Sequence, residues 1–268
     1  MAKKLLRKLL RAVVIFSVFA YVGAMLYLWL GQESLLFFPE PETADDAAVF
    51  ADFETSFAID GETLDGWYVP GTSGTTVVYF GGNAEELSRR VDNIIEFGPH
   101  NYLLMNYRGF GDSSGEPGEA DMKADALALI AAAGERYGFS PEDAVIIGRS
   151  LGTGVATYVA ASLPVKKLVL ITPYDSVRAV AKGRYPIFPV ALLLRHPFDS
   201  VQYVNDIDIP TLIIKATTDN VVPHIHTDAL VSAWQGPLQV ETLPGTHGSV
   251  VNSAQFTDTI AGFIDSRG

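Results

Sequence analysis

The sequence predicts an α/β domain: a mostly parallel, eight-stranded sheet flanked by helices, behind an N-terminal transmembrane helix. Three observations predict it. Short apolar, β-branched runs alternate with helical stretches, the pattern of buried strands joined by helical crossovers. One such run, Val145-Ile146-Ile147, leads straight into Gly148-Arg149-Ser150-Leu151-Gly152 and then a small-residue helical stretch, Val155 to Leu163. At 268 residues and 48% hydrophobic, the chain is long enough to bury one large core.

The chain opens on Lys3, Lys4, Arg7, Lys8 and Arg11, with no acid within residues 1–11. These five belong to 19 basic residues set against 31 acidic ones, so the remainder carries a formal charge of about −17, a poor partner for nucleic acid. Ala12 to Leu30 is uncharged and mostly apolar. At 1.5 Å per residue this run nearly spans a bilayer core. The positive-inside rule makes 1–11 a cytoplasmic tail and 12–30 an anchor, and it places the main domain on the periplasmic or luminal side. Tyr27 and Trp29 fall at the far interface. The rival reading is a cleaved signal peptide ending at Val22-Gly23-Ala24, but the apolar run continues from Met25 through Leu30, which favours the anchor.

Residues 31–46 read as a linker, with Pro39, Pro41 and the Asp45-Asp46 pair, and 47–268 as the domain. Phe50 to Ile59 and Glu62 to Val69 form a hairpin around Asp60-Gly61. Thr75 to Phe80 is the first fully buried strand. Gly81-Gly82-Asn83-Ala84 follows it and opens a polar helix from Glu85 to about Phe97. Tyr102 to Asn106 is the next strand, running into the Gly/Ser loop Tyr107 to Gly115. Ala120 to Tyr137 is an alanine-rich helix. Ala144 to Ile147, Lys167 to Ile171, Thr211 to Lys215 and Leu238 to Leu243 complete the strands, and Ser253 to Ile264 is the last helix. A small cap insertion lies near 176–200, holding the apolar stretch Tyr185 to Leu194.

Gly148-x-Ser150-x-Gly152 between strand and helix is a nucleophile elbow. The glycines let strand and helix approach around a strained seryl backbone. The turn lifts the Ser150 hydroxyl to a helix N-terminus, where developing negative charge is favoured. A serine hydroxyl needs a general base, and that base needs an acid to fix its tautomer. In the α/β-hydrolase fold, which carries this elbow, the chain order is Ser, Asp or Glu, then His. Of the five histidines, His100 precedes Ser150, His196 lies in the apolar insertion, and His224 and His226 open a helix. Only His247 follows the final strand, at the sheet edge where α/β sites form. Asp219 is the first acid beyond the preceding strand, with Asp175 as the competing candidate. The oxyanion hole needs two backbone donors. These are Leu151 N–H, after the nucleophile, and Asn83 N–H, in the loop after the first buried strand.

At these residues the chain resembles the membrane-anchored α/β-hydrolase-domain serine hydrolases of the bud-emergence-related group. The match rests on Gly82-Asn83-Ala84, Tyr107-Arg108-Gly109-Phe110-Gly111-Asp112-Ser113, Gly148-Arg149-Ser150-Leu151-Gly152 and Asp219-Asn220-Val221-Val222-Pro223, in order and at compatible spacing from about Glu33 onward. The resemblance implies Ser150, Asp219 and His247 as the triad, and acyl esters or thioesters of lipids or lipidated proteins as the substrate class. Two positions depart from the group's pattern: Gly81 stands where it usually has histidine, and Glu85 where it often has glycine. His226 matches a frequent position of the group and reads as structural.

The function expected is a serine hydrolase of carboxylic esters or thioesters, with an acyl ester or lipid-like molecule as substrate and no cofactor. A serine peptidase is a variant of it, though the chain lacks the large extra domain of prolyl-oligopeptidase-like enzymes. A catalytically silent, membrane-tethered scaffold on the same fold is the alternative class, against which the intact Ser, Asp, His order speaks. Absence of cysteine excludes disulfides, thiolate metal sites and a Cys nucleophile. His224-x-His226 lacks further convincing ligands for a metal, and no phosphate-binding loop is present. The stretch Tyr185 to Leu194 has two readings, the wall of an acyl-chain pocket near the membrane or an ordinary core-packing helix.

Overall fold

The computed structural model describes residues 2–43 and 48–266. Eight strands form one sheet in the order β1-β2-β4-β3-β5-β6-β7-β8. They are β1 (Glu54–Ile59), β2 (Glu62–Val69), β3 (Thr76–Phe80), β4 (Asn101–Met105), β5 (Ala144–Arg149), β6 (Lys167–Ile171), β7 (Thr211–Thr218) and β8 (Leu238–Thr246). β1 pairs antiparallel with β2, and β2 with β4; every other pair is parallel. The helices are α1 (Ala2–Leu36), α2 (Val91–Ile95), α3 (Glu119–Tyr137), α4 (Leu151–Ser162), α5 (Val177–Arg184), α6 (Val190–Leu193), α7 (His224–Ala233) and α8 (Ala254–Asp265).

The central strands are buried along their whole length, so their side chains alternate between two apolar cores, one on each face. Val78, Phe80 and Ile146 enter one core; Val77, Tyr79, Val145 and Ile147 enter the other. The chain order reverses at β3. β4 lies on one side of it and β5 on the other, with Phe80 in register with Gly148. Loops leaving β3 and β5 therefore diverge above a crevice at the carboxyl edge, the place where open α/β sheets build sites.

Three expectations shift. The predicted anchor, 12–30, is part of one longer helix, so 31–36 of the predicted linker is helical; residues 44–46, with Asp45-Asp46, and residue 47 lie outside the described residues. The predicted helix from Glu85 begins later, as a 3-10 turn at Leu87–Arg90 followed by α2. Glu86 is extended and its carboxylate caps Ser88 N–H at 3.0 Å, while Glu85 turns inward, so neither joins a helix. The first strand begins at Glu54, after a 3-10 turn at Ala51–Phe53.

The insertion between β6 and β7 carries α5 and α6. Within Tyr185 to Leu194 only Val190 is buried, whereas Ile187 and Leu192 are 71% and 84% exposed. That exposure overturns the core-packing reading of this stretch. The insertion instead packs on α1: Tyr21 stacks on Phe188 with ring centroids 5.5 Å apart, and its hydroxyl donates to Ile187 O at 2.7 Å.

Candidate active site

Ser150 sits between β5 and α4 with φ 48° and ψ −114°, a conformation that costs an L-residue of order 1–3 kcal/mol and persists only where packing enforces it. Two glycines provide that packing. A Cβ on Gly148 would lie 2.5 Å from Gly152 O, and one on Gly152 would lie 2.2 Å from Phe80 O. The turn of β5 into α4 is thereby pressed against the end of β3. Ser150 N–H donates to Ile171 O on β6 at 2.9 Å, which fixes the apex from the other side.

His247 follows β8 directly and Asp219 follows β7, and these neighbouring parallel strands deliver both residues to the same edge. His247 Nε2 lies 2.8 Å from Ser150 Oγ, and His247 Nδ1 lies 2.8 Å from Asp219 Oδ2. The other Asp219 oxygen accepts Val221 N–H and Val222 N–H at 3.0 and 2.8 Å. Burial pushes the Asp219 carboxyl up; the hydrogen bond from His247 and the two backbone N–H groups outweigh it and hold the carboxyl below its usual range. The arrangement can pass a proton from the serine to an imidazole whose tautomer an ionised aspartate fixes.

The competing acid is occupied elsewhere. Asp175 Oδ1 accepts Ser176 N–H at 2.7 Å and lies 3.0 Å from His226 Nδ1. His224 Nε2 is 2.7 Å from Ala216 O, His196 Nδ1 accepts Glu119 N–H at 3.2 Å, and His100 Nδ1 is 2.8 Å from Ser73 Oγ. Among the described residues no three His, Asp or Glu side chains gather as metal ligands.

Leu151 is the first residue of α4, so its N–H has no acceptor within the helix. Asn83 stands across the crevice in the loop after β3, where a Cβ on the preceding Gly82 would lie 3.5 Å from Ser150 Cβ. Three side chains hold this loop. Tyr107 Oη donates to Gly81 O at 2.9 Å, and Glu85 Oε2 accepts Gly82 N–H at 2.5 Å. The Asn83 side chain itself reaches the end of α1: its Nδ2 donates to Leu36 O at 2.6 Å and its Oδ1 accepts Phe38 N–H at 2.9 Å. Glu85 also meets Arg149 Nη1 at 2.6 Å and Arg90 Nε at 2.7 Å, with Tyr79 Oη within 3.5 Å. Neither this cluster nor the Asn83 contact with α1 follows from the motifs. The one sequence signal for the cluster is the acid at position 85, a departure from the motif on which the resemblance rests.

Comparison with known proteins agrees with this architecture. The family profile for the alpha/beta hydrolase fold matches residues 68–187. An uncharacterised protein of Mycobacterium tuberculosis is 30% identical over 88% of this chain and 87% of its own length. Human alpha/beta hydrolase domain-containing protein 17B is 30% identical over 72% of this chain and 67% of its own. Among solved structures, an α/β hydrolase of Vibrio vulnificus superposes with a TM-score of 0.69 at 19% identity, over 88% of this chain and 91% of that one. An esterase of Pyrococcus furiosus gives 0.67 at 19% identity, over 85% and 96%. At such identity these superpositions speak for the fold.

Proposed function

The chain belongs to the α/β-hydrolase family, and from that premise we propose that it is a serine hydrolase of acyl esters or thioesters, tethered to a membrane by α1. The observation that carries the reading is the unbroken Asp219–His247–Ser150 relay at 2.8 and 2.8 Å, on a strained elbow. Ser150 Oγ attacks the acyl carbonyl as His247 Nε2 takes its proton. The carbonyl oxygen becomes an oxyanion facing Leu151 N–H and Asn83 N–H. Collapse breaks the bond to the alcohol or thiol, which leaves with the proton from His247, and the acyl group stays on Ser150. A water then gives its proton to His247 and attacks the acyl-enzyme; the carboxylic acid departs and Ser150 regains its proton.

Support for the tether comes from α1. It is 35 residues long, carries no acidic residue in its first turn, and its apolar side chains from Leu5 to Phe19 are exposed all round. At 1.5 Å per residue it extends about 50 Å, more than a bilayer core requires. The basic tail supports, by the positive-inside rule, a cytoplasmic start and a hydrolase domain on the opposite side. Similarity to the bud-emergence-related group belongs to the same proposal.

Full-length protein in detergent, treated with a fluorescent fluorophosphonate beside Ser150→Ala and His247→Ala, tests the reading. Labelling of the wild type that both substitutions abolish is the expected result. A folded wild type that takes no label overturns it.

A further inference from the structure

We infer that the tip of the insertion, Tyr185 to Leu194, lies in the hydrocarbon of the extracytoplasmic leaflet alongside α1. The domain is then seated on the membrane by two elements and does not hang from one. The inference rests on reading α1 as a membrane tether and is independent of the hydrolase chemistry. Its first ground is depth. Tyr21 of α1 stacks on Phe188 and donates to Ile187 O. From Ala12, the first residue after the basic tail, α1 rises only about 14 Å to Tyr21. Even from Leu5 the rise is about 24 Å, short of the roughly 30 Å of a bilayer core, and any tilt makes it shallower. Whatever touches Tyr21 is therefore at hydrocarbon depth. About two turns further along α1, Arg195 sets its guanidinium 5.3 Å from the centre of the Trp29 ring and pairs through Nη1 with Glu33 at 3.0 Å. The insertion runs beside α1 with its apolar tip at the deep level and its charge at the level of the headgroups.

The second ground is the surface of the tip. No charged residue occurs between Arg184 and Arg195, and Pro186, Ile187, Ala191 and Leu192 are all exposed. Outside α1, Leu192 is the most exposed large apolar side chain among the described residues. Exposed Lys182 and Arg184 stand before the tip and exposed Arg195 after it. Apolar side chains between cations suit a segment that enters lipid, with the cations at the phosphates.

The third ground is the backbone. Hydrocarbon offers no partner to an N–H or a C=O, so a chain at that depth must satisfy its own. Pro186 and Pro189 have no N–H to satisfy. Tyr185, Phe188, Val190, Leu192, Leu193 and Leu194 donate theirs to carbonyls within residues 181–190. Ile187 O takes the Tyr21 hydroxyl, which itself gains a partner inside the membrane. A connection standing in water has no need of such closure, because solvent serves the same groups.

The chain has no cysteine, so a single introduced thiol can carry a nitroxide with no other thiol to remove. Full-length Ile187→Cys, Leu192→Cys, Val22→Cys and Asp258→Cys are labelled and placed in nanodiscs of phosphatidylcholine and phosphatidylglycerol. Power saturation compares collisions with oxygen, which concentrates in hydrocarbon, and with a polar nickel chelate, which is excluded from it. Val22, exposed on α1 beside Tyr21, marks the deep level, and exposed Asp258 on α8 marks water. Ile187 and Leu192 are exposed, so labels there displace no packing. They should behave as the label at Val22 does and meet the chelate about tenfold less often than the label at Asp258. Chelate access at both insertion positions, beside a protected Val22 position, overturns the proposal and leaves the tether standing. Chelate access at all three overturns the tether and the proposal with it. Shielding of both insertion positions from oxygen and chelate alike, as a second copy of the chain would produce, also overturns it.

Discussion

Glu85 and Arg149 form a buried ion pair at 2.6 Å that joins the loop after β3 to the residue preceding Ser150. Glu85, 2% exposed at its side chain, spends one carboxylate oxygen on Arg149 and Arg90 and the other on Gly82 N–H. Burial works against the Arg149 charge, and the Glu85 carboxylate beside it more than restores it, so the guanidinium is held above its ordinary value. Glu85 thereby ties the loop that carries Asn83 to the residue preceding Ser150. Glu85→Ala leaves a buried guanidinium unpaired and should cost about 3–5 kcal/mol in urea unfolding. Glu85→Gln keeps an acceptor for Gly82 N–H and should lose less stability, yet its kcat on p-nitrophenyl butyrate should fall while KM holds. Unchanged kcat in Glu85→Gln would show that the pair only stabilises the fold.

Asp219→Asn tests the relay differently. The Asn carbonyl oxygen can still accept Val221 and Val222 N–H, so the loop should survive. Its amide cannot accept from His247 Nδ1, and the imidazole is left in the wrong tautomer. The expected outcome is a kcat lower by about 10⁴ at an unchanged melting temperature.

Much of this was legible in the sequence, for reasons these residues show. Val145-Ile146-Ile147 could only be a buried strand, and Gly148 and Gly152 are demanded by contacts a Cβ would fill at 2.5 and 2.2 Å. Asp219 and His247 could be picked out because parallel strands deliver their following loops to one edge. What the sequence hid was pairing between distant residues. Asp175, the competing acid, and His226, read as structural, prove to be partners at 3.0 Å, 51 positions apart. Glu85 read as the start of a polar helix, since nothing local reveals that Arg149 lies opposite. The helix continued past Leu30 because Gln32 and Glu33 find partners on the insertion, contacts that no periodicity encodes.

Gly152→Ala should be among the most damaging small substitutions outside the relay. Its methyl would meet the Phe80 and Gly81 carbonyl oxygens at 2.2 and 2.5 Å, and both belong to backbone that cannot swing away. Overpacking of this kind costs about 3 kcal/mol, a fall in melting temperature of roughly 6–12 °C for a domain of this size. Gly262→Ala is the control. It lies exposed in α8 with open space at the Cβ position, so it should gain up to about 1 kcal/mol. Calorimetry on both variants checks the contrast.

His100 should make stability sensitive to mild acid. Its ring is buried, with Nδ1 beside Ser73 Oγ and Nε2 3.6 Å from Asp265. Burial lowers its affinity for a proton; Asp265 opposes this and Lys166 adds to it, and the net direction is down. The unfolded chain therefore takes up this proton first, at the ordinary histidine value of about 6.5. Stability should fall as pH drops through that value toward the lower folded one. Urea midpoints at pH 7.5 and 5.5 should differ more in the wild type than in His100→Gln. An identical pH dependence in both would remove His100 as the source.

Asn83 offers the sharpest test of communication between the helix and the site. Its side chain bridges Leu36 O and Phe38 N–H, while its own N–H is the second proposed oxyanion donor. Asn83→Ala keeps that N–H but releases the bridge, at about 1–3 kcal/mol for two hydrogen bonds. If the bridge positions the loop, kcat on the butyrate ester falls while KM holds. Asn83→Asp keeps an acceptor for Phe38 N–H, loses the donor to Leu36 O, and sets a negative charge beside the developing oxyanion. It should therefore be slower than Asn83→Ala although closer to asparagine in shape, because the transition state and the new carboxylate repel each other. Equal kcat for the two variants would mean that the charge is not felt at the oxyanion, and that Asn83 does not face it.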